Sequence, residues 1–211
     1  GESNKWPKKG WNYSFFSHTL EPYPQAWLIK GAFVPEEPVV RIGILTGSES
    51  LDWNDVNVGQ KSYTSFWNFK EGARLPVTVF TNAEEVELLL NGRSLGRQQN
   101  DTTDVFKRGI LQWKDVAYEP GNLTAVAYSQ GKEVARHRIE TAGKPVALRI
   151  EAEPVTPALQ PATVPCGSAP GSAWQADGLS LQYLNVYAVD SKGRRVPILS
   201  DELTVSVEGA A

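Results

Sequence analysis

From residue 62 onward, apolar and polar positions alternate in short runs of period two. The runs are YTSFWNF (63–69), LPVTVFT (75–81), EVELLL (85–90), RSLGRQ (93–98), ILQWKDVA (110–117), NLTAVAYS (122–129) and KEVARHRIE (132–140). Alternation of this kind places successive side chains on opposite faces of a strand. Turn formers mark the junctions: Glu71-Gly72, Asn82-Ala83, Asn91-Gly92, Pro120-Gly121 and Gln130-Gly131. Seven short strands with turn signals at this spacing predict an all-β, immunoglobulin-like sandwich over 61–141. Asn91-Gly92 predicts a two-residue type I′ hairpin turn, because both central positions need positive φ. On its incoming arm Val86, Leu88 and Leu90 share the core face, while Leu89 joins Glu85 and Glu87 on the other. An apolar residue there is expected to meet a second layer. Tyr118, before a Pro-Gly turn, fits a tyrosine corner whose ring packs and whose hydroxyl meets backbone.

The pattern differs on either side. Residues 1–60 read as an extension with one helix over about 24–34, opened by Pro24 and stopped by Pro35, and a strand over 39–45. TGSESLDWNDVNVGQ then reads as a polar and aromatic loop too long for a simple turn. After a TAGKP linker, VALRIEAE (146–153), LSLQYLNVYAVD (179–190), a Ser-Lys-Gly turn, RRVPI and LTVSVEG predict a second immunoglobulin-like sandwich over 142–211. The Pro- and Ala-rich stretch at 154–177 reads as an extended loop. Four or five strands are fewer than a sandwich normally needs, so this second domain is expected to be truncated.

Composition narrows the function. With a net charge of -3 and basic residues scattered singly or in pairs, there is no stripe for a nucleic-acid backbone. No apolar run is long enough to cross a bilayer, and no export leader opens the chain. The start at Gly-Glu-Ser without Met suggests a piece of a longer protein. Cys166 is the single cysteine and the histidines are His18 and His137, so neither an internal disulfide nor a metal site is expected. Nucleophile-elbow, zinc-protease and nucleotide motifs are absent, and no catalytic residue or cofactor is predicted. The acid pairs Asp52/Asp55, Glu84/Glu85, Asp101/Asp104 and Asp201/Glu202 could carry glycoside chemistry only across a cleft. All fall in turn or loop sequence and read as solvated turn acids. Sugars stack on exposed aromatic rings, and of seven tryptophans Trp53, flanked by Asp52 and Asn54, is the candidate carbohydrate contact. Trp113 alternates inward with Leu111 and reads as core.

SFWNFKEG, LPVTVFTNAEEVELLLNGRSLGRQ and VAYEPGNLTAVAYSQGKEVARHRIETAGKPVALRI, in this order, resemble the region that follows the catalytic barrel in family 2 glycoside hydrolases of the β-galactosidase type. ADGLSLQYLNVYAVDSKGRRVP and LTVSVEG are similar to the next immunoglobulin-like domain of those enzymes. EPYPQAWLIKGAFVPEEPVVRIGIL resembles the exit from the barrel, with Gln25 to Val34 as a remnant of its last helix. The resemblance implies a non-catalytic C-terminal accessory region of a carbohydrate-hydrolysing enzyme, with the two catalytic glutamates upstream. It also implies the barrel of the same polypeptide as partner and a periplasmic or extracellular location. An independent carbohydrate-binding module is the alternative. Leu89 departs from the Phe common in such domains, and the family's closing strands after SVEG are missing.

Overall fold

The computed structural model describes residues 15–17, 21–53, 56–152, 184–197 and 202–206. These residues contain one helix, α1 (Ala26–Phe33), followed by the strands β1 (Val40–Trp53), β2 (Val56–Thr64), β3 (Arg74–Thr81), β4 (Glu85–Leu90) and β5 (Arg93–Gln99). β6 (Ile110–Ala117), β7 (Asn122–Ser129), β8 (Lys132–Glu140), β9 (Pro145–Ala152) and β10 (Leu184–Asp190) complete them. The chain divides into two compact units, one ending at Thr141 and the next beginning at Ala142.

In the first unit two four-stranded antiparallel sheets, ordered β2-β1-β3-β6 and β5-β4-β7-β8, enclose a common core. Ile42, Ile44, Val77 and Val79 enter it from one sheet, and Val86, Leu88, Leu90 and Leu123 from the other. Each such side chain contributes about 1.5–3 kcal/mol on full burial, more than a surface ion pair does. The hairpin of β4 and β5 closes as its sequence dictates, with Asn91 at φ 51 and Gly92 at φ 81. Asn91 also clasps the next turn: its Nδ2 donates to Pro120 O at 3.1 Å and its Oδ1 accepts from Asn122 N at 2.8 Å.

Several elements differ from the sequence reading. β1 is an inner strand of the sandwich rather than part of a separate extension, pairing with β3 through Val40–Ile44. The stretch read as a polar loop is instead a ribbon, with β1 and β2 in antiparallel register from Ile44↔Thr64 to Trp53↔Val56. Residues 47–50 and 59–62, which pair in its stem, are polar on both strands and so carry no alternation to read, while Leu51, Trp53, Val56 and Val58 lie toward its end. Conversely, the strand expected over 63–69 ends at Thr64, although Trp67 is fully buried. There side chains replace a ladder: Trp67 Nε1 donates to Glu119 O at 3.1 Å and Thr141 Oγ1 donates to Trp67 O at 2.8 Å. The Tyr118 ring packs edge-on against Trp67 and Phe69, as a corner tyrosine should, but its hydroxyl lies 3.2 Å from Thr141 Oγ1 rather than on backbone.

α1 ends before Pro35, and the chain after it is pinned by the first two residues of the Thr-Asn-Ala sequence. Thr81 Oγ1 donates to Val39 O at 2.6 Å, Asn82 Oδ1 accepts from Val39 N at 2.7 Å, and Asn82 Nδ2 donates to Glu37 O at 2.8 Å. Leu89 is half-buried on the outer face of its sheet, in register with Ser94 and Thr124, and does not belong to an exposed patch.

In the second unit the described residues hold one antiparallel ladder, β10 with β9. The expected RRVPI strand is reduced to a single bridge between Val189 and Arg195, and residues 202–206 are not in a strand. The proposed loop at 154–177 lies outside the described residues. Asp190 is buried and organises the turn that follows, accepting from Lys192 N and Arg194 N at 2.9 Å and from Gly143 N at 2.8 Å.

Candidate binding cleft

The residues expected to contact carbohydrate sit at the far end of β1. Asp52 is in register with Asn57 and Trp53 with Val56, while Asn54 and Asp55 lie outside the described residues. Beyond Ile44, β1 pairs with β2 alone, so these positions are carried on the free ribbon.

Of the acid pairs, Asp101/Asp104 is turn chemistry, Asp52 lies on β1 and Glu85 on β4 rather than in loops, and Asp55 and Asp201 lie outside the described residues. Asp101 accepts from Thr103 Oγ1 and N, and Asp104 accepts first from Lys107 Nζ at 2.7 Å and then from Phe106 N; these bonds hold both carboxyls below their ordinary range. Glu84 accepts from Gln130 N at 2.7 Å, and Glu85 lies 3.8 Å from Arg97. Asp101 and Asp104, held in this way, are unsuited to proton donation. Among the described residues no three His, Cys, Asp or Glu side chains converge on a metal position. Trp113 and Trp67 are core, as Trp113 was expected to be. Trp27 is half-buried with the Arg41 guanidinium 4.4 Å and Lys30 Nζ 5.4 Å from its ring.

A cleft of about 490 Å³ opens elsewhere, at the side of the sandwich where the edge strands β5 and β6 face each other. Both edges are bulged. Pro76 has no N–H for the ladder, and opposite it β6 carries two residues, Lys114 and Asp115, where β3 carries one. On β5, Leu95 and Gly96 together oppose the single Leu88 of β4. Lys114, Asp115 and Leu95 therefore turn out of the regular pleat, and all three line the cleft.

A side chain ties the two edges together, since Gln98 Nε2 of β5 donates to Gln112 O of β6 at 2.9 Å. Three cations line the cleft against one carboxylate: Arg74, Arg93 and Lys114 beside Asp115. Arg74 pairs with Asp115 at 2.5 Å, which holds that carboxyl below its ordinary range, and Arg93 pairs with Glu119 at 2.6 Å. Lys114 is exposed and, among the described residues, is the lining cation with no acidic partner. Sequence reasoning missed this cleft. The available signal was Pro76 inside an otherwise regular strand, which predicts a bulge on its neighbour.

Residues 72–135 match the family model described as a domain of unknown function, DUF4982. The chain is 31% identical over 144 residues to Beta-galactosidase BoGH2A of Bacteroides ovatus, an alignment covering 68% of this chain and 14% of that protein. It is 26% identical over 145 residues to a beta-glucuronidase of Formosa agariphila, covering 69% of this chain and 13% of that protein. Among solved structures, a glycosyl hydrolase family 2 member from Bacteroides cellulosilyticus superposes with a TM-score of 0.65 at 31% identity, over 87% of this chain and 22% of that one. The chain thus spans a small fraction of the length of each of these relatives.

Proposed function

We propose that this chain, which is related to the C-terminal immunoglobulin-like region of family 2 glycoside hydrolases, is the non-catalytic accessory part of such an enzyme and docks against its upstream catalytic barrel. One observation carries the docking role. α1 and the turn that precedes β6 meet where Leu28 approaches Gly109, and both present bare apolar side chains to solvent. Phe33 is 83% exposed on the helix, and Val105 and Phe106 are 80% and 88% exposed on the turn. Large apolar groups this exposed mark a surface that another body covers. The barrel of the same polypeptide is that body, with the residues before β1 as the segment that leads from it. The wider reading includes a β-galactosidase-like parent acting on O-glycosidic bonds and a periplasmic or extracellular location, which cell fractionation would check.

The chain alone is expected to hydrolyse neither a chromogenic β-galactoside nor a β-glucuronide; turnover of either would overturn the non-catalytic role. Docking is tested by the double variant Phe33→Ser, Phe106→Ser. In this chain its melting temperature should stay unchanged, because exposed side chains hold nothing in place. In a polypeptide that includes the barrel, the same variant should melt several degrees lower, and an unchanged melt there would refute the docking face.

A further inference from the structure

The cleft between β5 and β6 has a chemistry that the accessory role does not use, and the inference from it stands independently of that role. We propose that this cleft binds an oligosaccharide bearing a uronate carboxylate, the carboxylate meeting Lys114 and the sugar hydroxyls meeting Gln98 Oε1 and the free edges of β5 and β6.

The size is right, since ligand clefts run to about 300–1,000 Å³. The charge selects an anion. Arg74 and Arg93 already have acidic partners, whereas Lys114 has none, and the β6 bulge at Lys114 and Asp115 carries it to the cleft. The positive site stands out on a chain whose net charge is -3. Gln98 spends its amide nitrogen on Gln112 O, which fixes the side chain. Its Oε1 accepts no protein hydrogen bond and is reached by solvent, an acceptor suited to a hydroxyl donor. Leu95 adds an apolar surface for the C–H face of a sugar ring.

The same geometry argues against an acidic peptide. A peptide docks on a sheet edge by extending its hydrogen-bonded ladder, and bulges on both facing edges interrupt that ladder. A sugar needs no ladder. Its hydroxyls can take backbone groups singly, wherever the bulges leave them.

The test is calorimetric titration of this 211-residue chain with tetragalacturonate, neutral cellotetraose and tetraglutamate. Tetragalacturonate should bind with Kd of about 1 mM or tighter, at least about tenfold tighter than either control. Lys114→Ala should abolish that preference, and Trp53→Ala should leave it intact. Lys114 is exposed, so the folded state survives its removal, which an unchanged melt would confirm. Equal binding of cellotetraose or of tetraglutamate, undiminished binding by the Lys114 variant, loss of binding in the Trp53 variant, or no heat with tetragalacturonate would each overturn the proposal. None of these results depends on whether a barrel docks on Phe33 and Phe106.

Discussion

His137 shows how one side chain ties stability to pH. It lies on β8, and its Nδ1 accepts the Ile42 N–H of β1 at 3.1 Å, so a neutral ring links the two sheets. Burial, reinforced by the Arg41 charge, lowers its pKa from 6.5 to about 4. The unfolded chain therefore binds a proton more readily than the folded one between these values, and the linkage has a definite sign. Stability from this residue is full above the unfolded pKa and is lost as pH falls through the window toward about 4. Urea unfolding at pH 7 and at pH 4.5 should differ by about 1–3 kcal/mol from this group. His137→Gln keeps an acceptor for Ile42 but does not titrate, so its pH dependence should be flatter by that amount. Gly121 makes a second claim at this scale. It sits at φ 135, and a Cβ there would come within 1.9 Å of Asn91 Oδ1. Gly121→Ala should cost about 2–4 kcal/mol, read from the denaturation midpoint, through backbone strain and loss of the Asn91 clasp together. The Pro-Gly turn was legible in sequence, but the clasp was not, because Asn91 closes the β4–β5 hairpin whereas Gly121 lies in the crossing from β6 to β7, between the two sheets.

Among the elements, β4, β6, β7 and β8 lie where the apolar pattern put them; β4 alternates between core and outer face, whereas central β7 is buried on both faces from Leu123 to Ala127. Alternation failed in two opposite circumstances. In the ribbon of β1 and β2, residues 47–50 and 59–62 are Gly, Ser, Glu, Gln and Lys, so the stretch reads as loop although its backbone is paired. Residues 65–70 carry the apolar pattern of a strand, yet Trp67 is held by Glu119 and Thr141 instead of a ladder. The corner that results depends on one hydroxyl. Thr141 Oγ1 donates to Trp67 O, accepts from Gly121 N at 3.1 Å and meets the Tyr118 hydroxyl. Thr141→Val removes all three bonds while keeping the shape, and should cost about 2–3 kcal/mol. Tyr118→Phe removes one and should cost about 1 kcal/mol, with near-ultraviolet circular dichroism of the Trp67 cluster retained. The cleft was hidden for a related reason. It is made by a pair of bulges on strands that belong to different sheets, and only Pro76 hints at either.

At the scale of the whole molecule, the division after Thr141 has a consequence for folding. Among the described residues, every member of the sandwich core lies between Val40 and Ile139. The corner that closes the sandwich is likewise complete at Thr141, whose N–H donates to Gly121 O at 2.8 Å. A fragment of residues 1–141 therefore retains every contact identified above as holding the first unit, including the His137 link and the Asn91 clasp. It should unfold in one cooperative transition with a midpoint within a few degrees of the corresponding transition in the full chain. The second unit offers the converse test. Asp190 is buried and tied to Arg194 Nε at 2.7 Å, and its carboxyl is held well below the usual range, first by that bond and then by the backbone N–H of Gly143. Asp190→Ala would leave those donors without their acceptor and should destabilise the second unit. If the units are energetically separate, the variant should lower the transition of the second unit and leave that of the first in place, with the two followed by hydrogen exchange at β10 and at β7. A parallel loss of protection at β7 would show that the sandwich depends on its neighbour, and would refute both the autonomy of residues 1–141 and the assignment of its stability to its own core.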